Sequence, residues 1–388
     1  MSVYTSMIPN TLLALGHKIY LNYLPCFQNP VFQQAYPEEK IHYICLDQST
    51  QDGRFTKALL ELSYRLRTFG HDFNSMTRRD LQVFMQLLLH GDVTTFHKII
   101  QWFNGNYYNQ LQSNSSGDKF TTVANCVEQE FVLRVAMLTS FIEQRPDVKQ
   151  PWKIVHSIPL IICGDNSIIT VPDSLLFVFC KDQENYPTVL ETHLNKIGII
   201  LKRSETFLCR WSPAHQDQFF STIDQNDNVI QEGVVYLQRR FVKVDCNNNL
   251  LPADHPKPFK LGTWRPPYTA FVNSNNHNFD WAHPTKQIGV ALFQKCFSLM
   301  FDMAYCRTGH YYLRAILRRL YKLCPCIIEW STNAQDMAEL NIKVPFELHW
   351  MKRVLQEDSF DFVVSQMCPT VASAQLREPI MRNPFFQK

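Results

Sequence analysis

The stretch 145-RPDVKQPWKIVHSIPLIIC-163 decides the fold, because the periodicity of the chain changes across it. Pro146 and Pro151 bracket charged residues, and helix cannot easily pass them. Beyond this linker the runs KIVHSIPLIIC, SLLFVFC, IGIILKR and TFLCRW are short, rich in Ile, Val and Phe, and bounded by Asp, Asn, Gly and Pro. That is a strand signature. In VVYLQRRFVKVDC the residues Val235, Leu237, Arg239, Phe241 and Lys243 alternate with Val234, Tyr236, Gln238, Arg240, Val242 and Val244. Neither side is purely apolar, which predicts a half-exposed strand. One helix interrupts this region: Thr188 and Glu191 have capping-box spacing after Pro187, and Leu190, Leu194 and Ile197 follow on one face.

Upstream of the linker the pattern from Asn10 to Arg145 is helical. In RDLQVFMQLLLHG, Leu81, Phe84, Met85, Leu88 and Leu89 recur every three or four residues, and Thr77 with Asp80 reads as a capping box. Gly91 and Asp92 are read as the stop of this helix and the start of the next, VTTFHKIIQWF, with Phe96, Ile99, Ile100 and Phe103 on one face. A polar loop over 104–118 precedes a further helix from Val123 to Phe141. Downstream, residues 251–284 are rich in Pro, Asn, His and aromatics, and Trp264, Tyr268, Phe271, Phe279 and Trp281 predict an ordered loop that packs on something. Helical periodicity returns from Pro284 to Leu323 and from Pro345 to Val364, and a tail begins at Pro369. The expectation is an α+β protein. Its parts are a helical unit over 1–148, a mostly antiparallel β unit over 149–284, a helical segment over 285–368 and an extended tail over 369–388.

At 45% hydrophobic and 19% charged, the 388 residues can bury a large core. The net charge of +3 implies no global field for polyanions, so any such partner must be read from local clusters. Twelve glycines, where ordinary usage near 7% would supply about 27, exclude several chemistries. There is no GxG, no GxxxxGK[ST] and no GxSxG, so neither a dinucleotide or triphosphate cradle nor a nucleophile elbow is present. No cofactor is expected. Twelve scattered cysteines without a CxxC fit a reducing, cytoplasmic compartment better than a disulfide framework. The N-terminus lacks the charge pattern of a signal peptide, and the longest apolar candidate, IPLIICGDNSIITV, is broken by Asp165 and Asn166 well short of a membrane span.

The sharpest local signal is AYCRTGHYYLRAILRRLYK. From Lys286 to Lys322 there are seven basic residues against one acid, Asp302. Arg307, Arg314, Arg318 and Lys322 fall along one helical face, and Leu313, Ile316, Leu317 and Leu320 along the other. Two readings stand: a stripe for the phosphates of RNA or DNA, with Tyr311 or Tyr321 stacking on bases, or a face paired with acids of the same protein. Arg239, Arg240 and Lys243 could extend such a surface together with Lys257, Lys260 and Arg265. Cys306 with Arg307 and His310 is the one local grouping suited to an activated thiolate, set against Cys306 as a small buried hydrophobe. For metals, Cys324 and Cys326 lack a second pair, and His255, His277 and His283 are scattered through one loop. Asp224, Asn226 and Asn228 open like a calcium loop but lack its glycine and glutamate, so they read as a polar turn.

The sequence thus favours a non-enzymatic binding or assembly protein, of the kind found in a virus particle. It would act through the basic helix (Arg307, Arg314, Arg318, Lys322, with Arg240) and an aromatic interface (Trp264, Tyr268, Trp281) on protein partners, RNA or DNA. The alternative is a cytosolic hydrolase or transferase built on Cys306 and His310.

Overall fold

The computed structural model describes residues 36, 39–49, 61, 73–96, 98–101, 105, 107–110, 121–181, 184–213, 218–255, 259–274, 284–333 and 348–367. Phe279, Trp281, His277, His283, Lys257 and the tail lie outside the described residues. The architecture is mixed α+β with antiparallel sheets. The chain divides into two compact units, Pro30–Arg210 and a second formed by Met1–Asn29 with Trp211–Lys388.

In the unit Pro30–Arg210, strands β1 (Ile41–Leu46), β4 (Leu160–Cys163), β5 (Asn166–Pro172) and β6 (Phe207–Cys209) form one antiparallel sheet in the order β4-β5-β1-β6. Every residue of β1 is buried, as a central strand requires. Ile44 and Leu46 of β1 join Ile169 and Val171 of β5 in a core closed by helices α2 (Thr121–Gln144) and α4 (Thr188–Lys196). Leu133, Ala136, Met137 and Phe141 of α2 recur at helical spacing and are all buried, while Leu190 and Leu194 of α4 cover the same core. Pro146 stands just beyond the end of α2, as expected.

Several sequence expectations are corrected here. Helix α1 (Arg78–Phe96) runs through Gly91 and Asp92 and takes in the VTTF of the expected second helix, whose KIIQ is instead strand β2 (Lys98–Gln101), paired with β3 (Tyr107–Gln110) in the expected polar loop. Part of KIVHSIPLIIC is a helix, α3 (Pro151–Ser157), with Pro151 at its first turn. SLLFVFC is a 3₁₀ turn over Asp173–Val178. The Thr188–Glu191 capping box does not form: the Thr188 hydroxyl bonds the Glu184 carboxylate, and Glu191 accepts from Tyr186 Oη at 2.8 Å. The box at Thr77 does form, with Asp80 N–H donating to Thr77 Oγ1 at 3.2 Å and Thr77 N–H to Asp80 Oδ2 at 3.3 Å.

The other unit carries two-stranded β7 (Thr222–Ile223) and β8 (Val229–Gln231), and a sheet of β9 (Val235–Tyr236), β10 (Arg239–Val244), β11 (Leu250–Leu251) and β12 (Lys260–Trp264). VVYLQRRFVKVDC is therefore a hairpin, turning at Leu237 and Gln238, whose φ values of 51° and 61° lie in the left-handed region. Asp224 is the polar turn expected, its Oδ1 accepting from the N–H groups of Asn226 and Asn228 at 2.8 Å. Helices α5 (Tyr268–Ser274), α6 (Pro284–Asp302), α7 (Arg307–Leu323), α8 (Ile327–Thr332), α9 (Leu348–Arg353) and α10 (Ser359–Met367) complete it. Trp264, Phe293, Phe301, Leu313 and Leu317 belong to its core. Among the described residues no helix is long and apolar enough to cross a membrane.

Candidate functional site: an aspartate pair at the strand ends

Most of the basic residues nominated from sequence are engaged by groups of the same chain. Arg314 Nη1 donates to the Gln356 and Glu357 carbonyls at 3.2 and 2.9 Å, and Arg318 donates to the Leu355 carbonyl at 2.8 Å and to Glu357 Oε1 at 2.7 Å. Arg307 lies over the Phe360 ring at 4.4 Å. Lys322 is exposed at the end of α7. Arg240 donates to Glu232 at 2.7 Å and lies over Trp264, which is buried, whereas Tyr268 is exposed. Arg239 and Arg265 both converge on Asp302, and Lys243 is buried with its ammonium on the His255 carbonyl. The second basic cluster is thus mostly internal wiring.

Cys306 and His310 are both fully buried. Cys306 caps α7, its Sγ accepting from Gly309 N–H at 3.3 Å, and burial together with nearby Asp227 pushes its thiol up to about 12. His310 shares a hydrogen bond with Ser359 Oγ at 3.0 Å, and burial beside Arg314 brings its pKa down to about 3. A thiol so hard to ionise and a histidine so hard to protonate do not make a nucleophile and base.

The sequence reading passed over the acids that do converge. Strands β4 and β5 are joined by only Gly164 and Asp165, with Cys163 opposite Asn166. Gly164 adopts φ 62°, which this tight hairpin demands and glycine supplies at no steric cost. The turn therefore projects Asp165 at the end of the hairpin. On the neighbouring strand, Asp47 directly follows β1, and β1 pairs with β5 from Ile41↔Pro172 to Leu46↔Ser167. That register brings Asp47 to the same end of the sheet as Asp165.

Residues 200–206 zip along the chain beyond β1. Ser49 N–H donates to the Ile200 carbonyl at 2.9 Å, Lys202 N–H to the Asp47 carbonyl at 2.8 Å, and Asp47 N–H to Thr206 Oγ1 at 3.2 Å. This pairing sets Lys202 Nζ 2.8 Å from Glu205 Oε1 and 3.8 Å from Asp47 Oδ1. Asp47 is pushed up to about 7, first by burial, then by its hydrogen bond with Glu205 and by the charges of Asp165 and Glu205, with Lys202 opposing. Glu205 is held below the usual range chiefly by Lys202, whose own pKa is raised chiefly by Glu205.

A buried carboxylate surrounded by other carboxylates invites a cation. Asp47 Oδ1 is buried without a hydrogen-bond partner, so an acceptor is available to a metal. Among the described residues no three His, Cys, Asp or Glu side chains form a ready cage. Magnesium does not need one, since it binds through one or two carboxylates and completes its shell with water and substrate phosphates. Asp47 and Asp165 fit that demand.

No protein-family profile matches the chain, and no curated protein does. Solved structures do match. One is the RNA-dependent RNA polymerase of a human picorbirnavirus, with 10% identity and a TM-score of 0.47, covering 93% of this chain and 58% of that one. Another is an insertion-loop deletion mutant of the same polymerase, again with 10% identity and a TM-score of 0.47, covering 86% and 54%. The chain thus spans little more than half the length of these structures. The geometry of the chain's own residues corrects the expectation of a non-enzymatic binding or assembly protein. Arg314, Arg318 and Arg240 bond groups of the same chain and Arg307 lies on the Phe360 ring, while the titratable groups gather at Asp47 instead.

Proposed function

We propose that the unit Pro30–Arg210 is the core of a metal-dependent nucleotidyl transferase that extends RNA on a template. The observation that carries the reading is the placing of Asp165, on a two-residue hairpin turn, at the same end of the sheet as buried Asp47. Two carboxylates and few other protein ligands leave the remaining positions on a bound metal to phosphates, the arrangement of phosphoryl-transfer sites. Magnesium held by Asp47 and Asp165 would polarise the phosphoryl group and favour the attacking 3′-oxygen as an alkoxide. The chain's own groups do the rest. The sheet holds the two aspartates in place. Lys202 Nζ, 3.8 Å from Asp47, offsets negative charge and can donate a proton to the departing pyrophosphate. The nucleotidyl group passes to the 3′-oxygen: the 3′-O–Pα bond forms, the bond from Pα to the β-phosphate oxygen breaks, the 3′-hydroxyl proton goes to water and pyrophosphate leaves. A viral, cytoplasmic setting is part of the same proposal.

The test is extension of a labelled RNA primer on an RNA template by the full chain with Mg²⁺ or Mn²⁺, compared with a DNA pair. Asp165→Asn and Asp47→Asn should each lower kcat by about a hundredfold or more, in line with the several kcal/mol that a catalytic metal contributes. Circular dichroism should show both variants folded. Extension at wild-type rate by Asp165→Asn would refute the assignment, and extension confined to the DNA pair would refute RNA as substrate.

A further inference from the structure

We infer that helix α2 sets the spacing of the two aspartates through a buried side-chain clamp, with Gln129 and Cys126 as positioning residues. The inference deepens the reading of Asp47 and Asp165 as the metal-binding pair and rests on it. Gln129 is fully buried, as are its partners: Gln48 at 2% exposure and Ser167 at 1%. Gln48 Nε2 donates to Gln129 Oε1, and Gln129 Nε2 donates to Ser167 Oγ at 3.1 Å. Gln48 is the residue after Asp47, and Ser167 lies two residues after Asp165. One amide on α2 therefore grips the neighbours of both acids.

A second grip lies one turn earlier on the same helical face. Cys126 Sγ accepts from Gly164 N–H at 3.3 Å and donates to the Ile162 carbonyl at 3.7 Å. Gly164 is the first residue of the turn that carries Asp165. Strand pairing alone would not do this: the β1–β5 ladder ends at Leu46↔Ser167 and the β4–β5 ladder at Cys163↔Asn166, while the backbone bonds at Asp47 run to residues 200–206 and not to the turn that carries Asp165. The clamp spans the last residues on each side.

The composition of this contact argues for a directional task over mere cohesion. A buried amide costs stability unless all its groups are bonded, and Gln48 Oε1 is buried without a hydrogen-bond partner. Leucine and alanine would pack α2 on the sheet without that cost, as they do further along at Leu133 and Ala136. What apolar contacts cannot provide is a fixed direction, and catalytic groups have to be held to within about 0.5 Å. Residues that orient metal ligands typically change metal affinity or activity by about 10–100-fold when replaced.

The experiment uses the full chain with Gln129→Met, Cys126→Ala and Cys126→Ser, and with Asp165→Asn as reference. Mn²⁺ binding is measured by electron paramagnetic resonance without RNA, kcat and KM by primer extension, and folding by thermal unfolding. Gln129→Met should weaken Mn²⁺ binding about 10-fold and lower kcat by about 10–100-fold, with KM for the primed template unchanged. Cys126→Ala should do the same more mildly, and Cys126→Ser, which keeps a donor and an acceptor, should restore most of the loss. Should Gln129→Met fail to fold, the Cys126 pair, which changes a single atom or two, decides the matter. Wild-type Mn²⁺ affinity and kcat in the clamp variants, beside a Mn²⁺ site that Asp165→Asn does remove, would overturn the clamp alone. A wild-type chain with no Mn²⁺ site sensitive to Asp165→Asn would overturn the metal reading and the clamp with it.

Discussion

Asp47→Asn should stabilise the protein at pH 8 while lowering the proposed primer extension. The Asp47 carboxyl is pushed up to about 7, with burial as the first cause. In an unfolded chain an aspartate titrates near 3.9, so the gap of roughly 3 units corresponds to about 4 kcal/mol. Since the folded state holds this proton more tightly than the unfolded state, the stability it contributes is fully present below about pH 3.9. It is lost as pH rises to about 7. Glu205 shares the hydrogen bond and carries part of the effect, so a single substitution recovers about 2–4 kcal/mol. Asparagine is neutral and of the same shape, and its amide can donate to Glu205 as the protonated acid does. Urea unfolding followed by circular dichroism should therefore show Asp47→Asn ahead of wild type at pH 8, by about 2 kcal/mol more than at pH 5. Added Mg²⁺ should narrow the difference by stabilising only the wild type. An equal gap at the two pH values, or a variant weaker than wild type at pH 8, would refute the electrostatic argument.

In the other unit, Asp302 accepts from Arg239 at 2.9 and 2.6 Å and also from Arg265, all three being nearly buried. Asp302→Ala should cost about 3–5 kcal/mol in chemical denaturation, because two guanidinium groups lose their counter-ion. Gly262 faces the buried ring of Tyr305, which an added Cβ would overlap; Gly262→Ala should cost about 1–3 kcal/mol, read as a lowered Tm. His310 is neutral in the fold with its pKa down at about 3, so its contribution is full above about pH 6.5 and declines as pH falls toward 3. At pH 4.5 the wild type should be weaker than at pH 7 by up to roughly 3 kcal/mol on this account, and His310→Gln should flatten that dependence in an acid unfolding series.

The mixed class of the fold was legible because periodicity separates long helices such as α2 from short apolar runs. Within those short runs, strand and helix were not separable: KIVHSIPLIIC holds both α3 and β4, and its apolar count is the same either way. VTTFHKIIQWF was misread because Gly91 and Asp92 look like a stop, yet neither prevents α1 from continuing. The site itself has almost no local signature. Asp47 and Asp165 are single acids at the close of apolar runs, and only the pairing of β1 with β5 brings them together. The usable signal was CGDN, a glycine and an acid between two apolar runs, which reads as a tight hairpin with a carboxylate at its tip. The arginine stripe misled because its density was real while its partners, Glu357 and the carbonyls of 355–357, lie downstream in sequence.

Strand β1 has β5 on one side and β6 on the other, so the backbone leading into Asp47 presents no open edge. Such a strand neither frays nor offers itself to an invading chain. Heat inactivation of this unit should consequently follow its cooperative melting as one event, without an earlier phase in which a loosened centre loses turnover ahead of the surrounding scaffold.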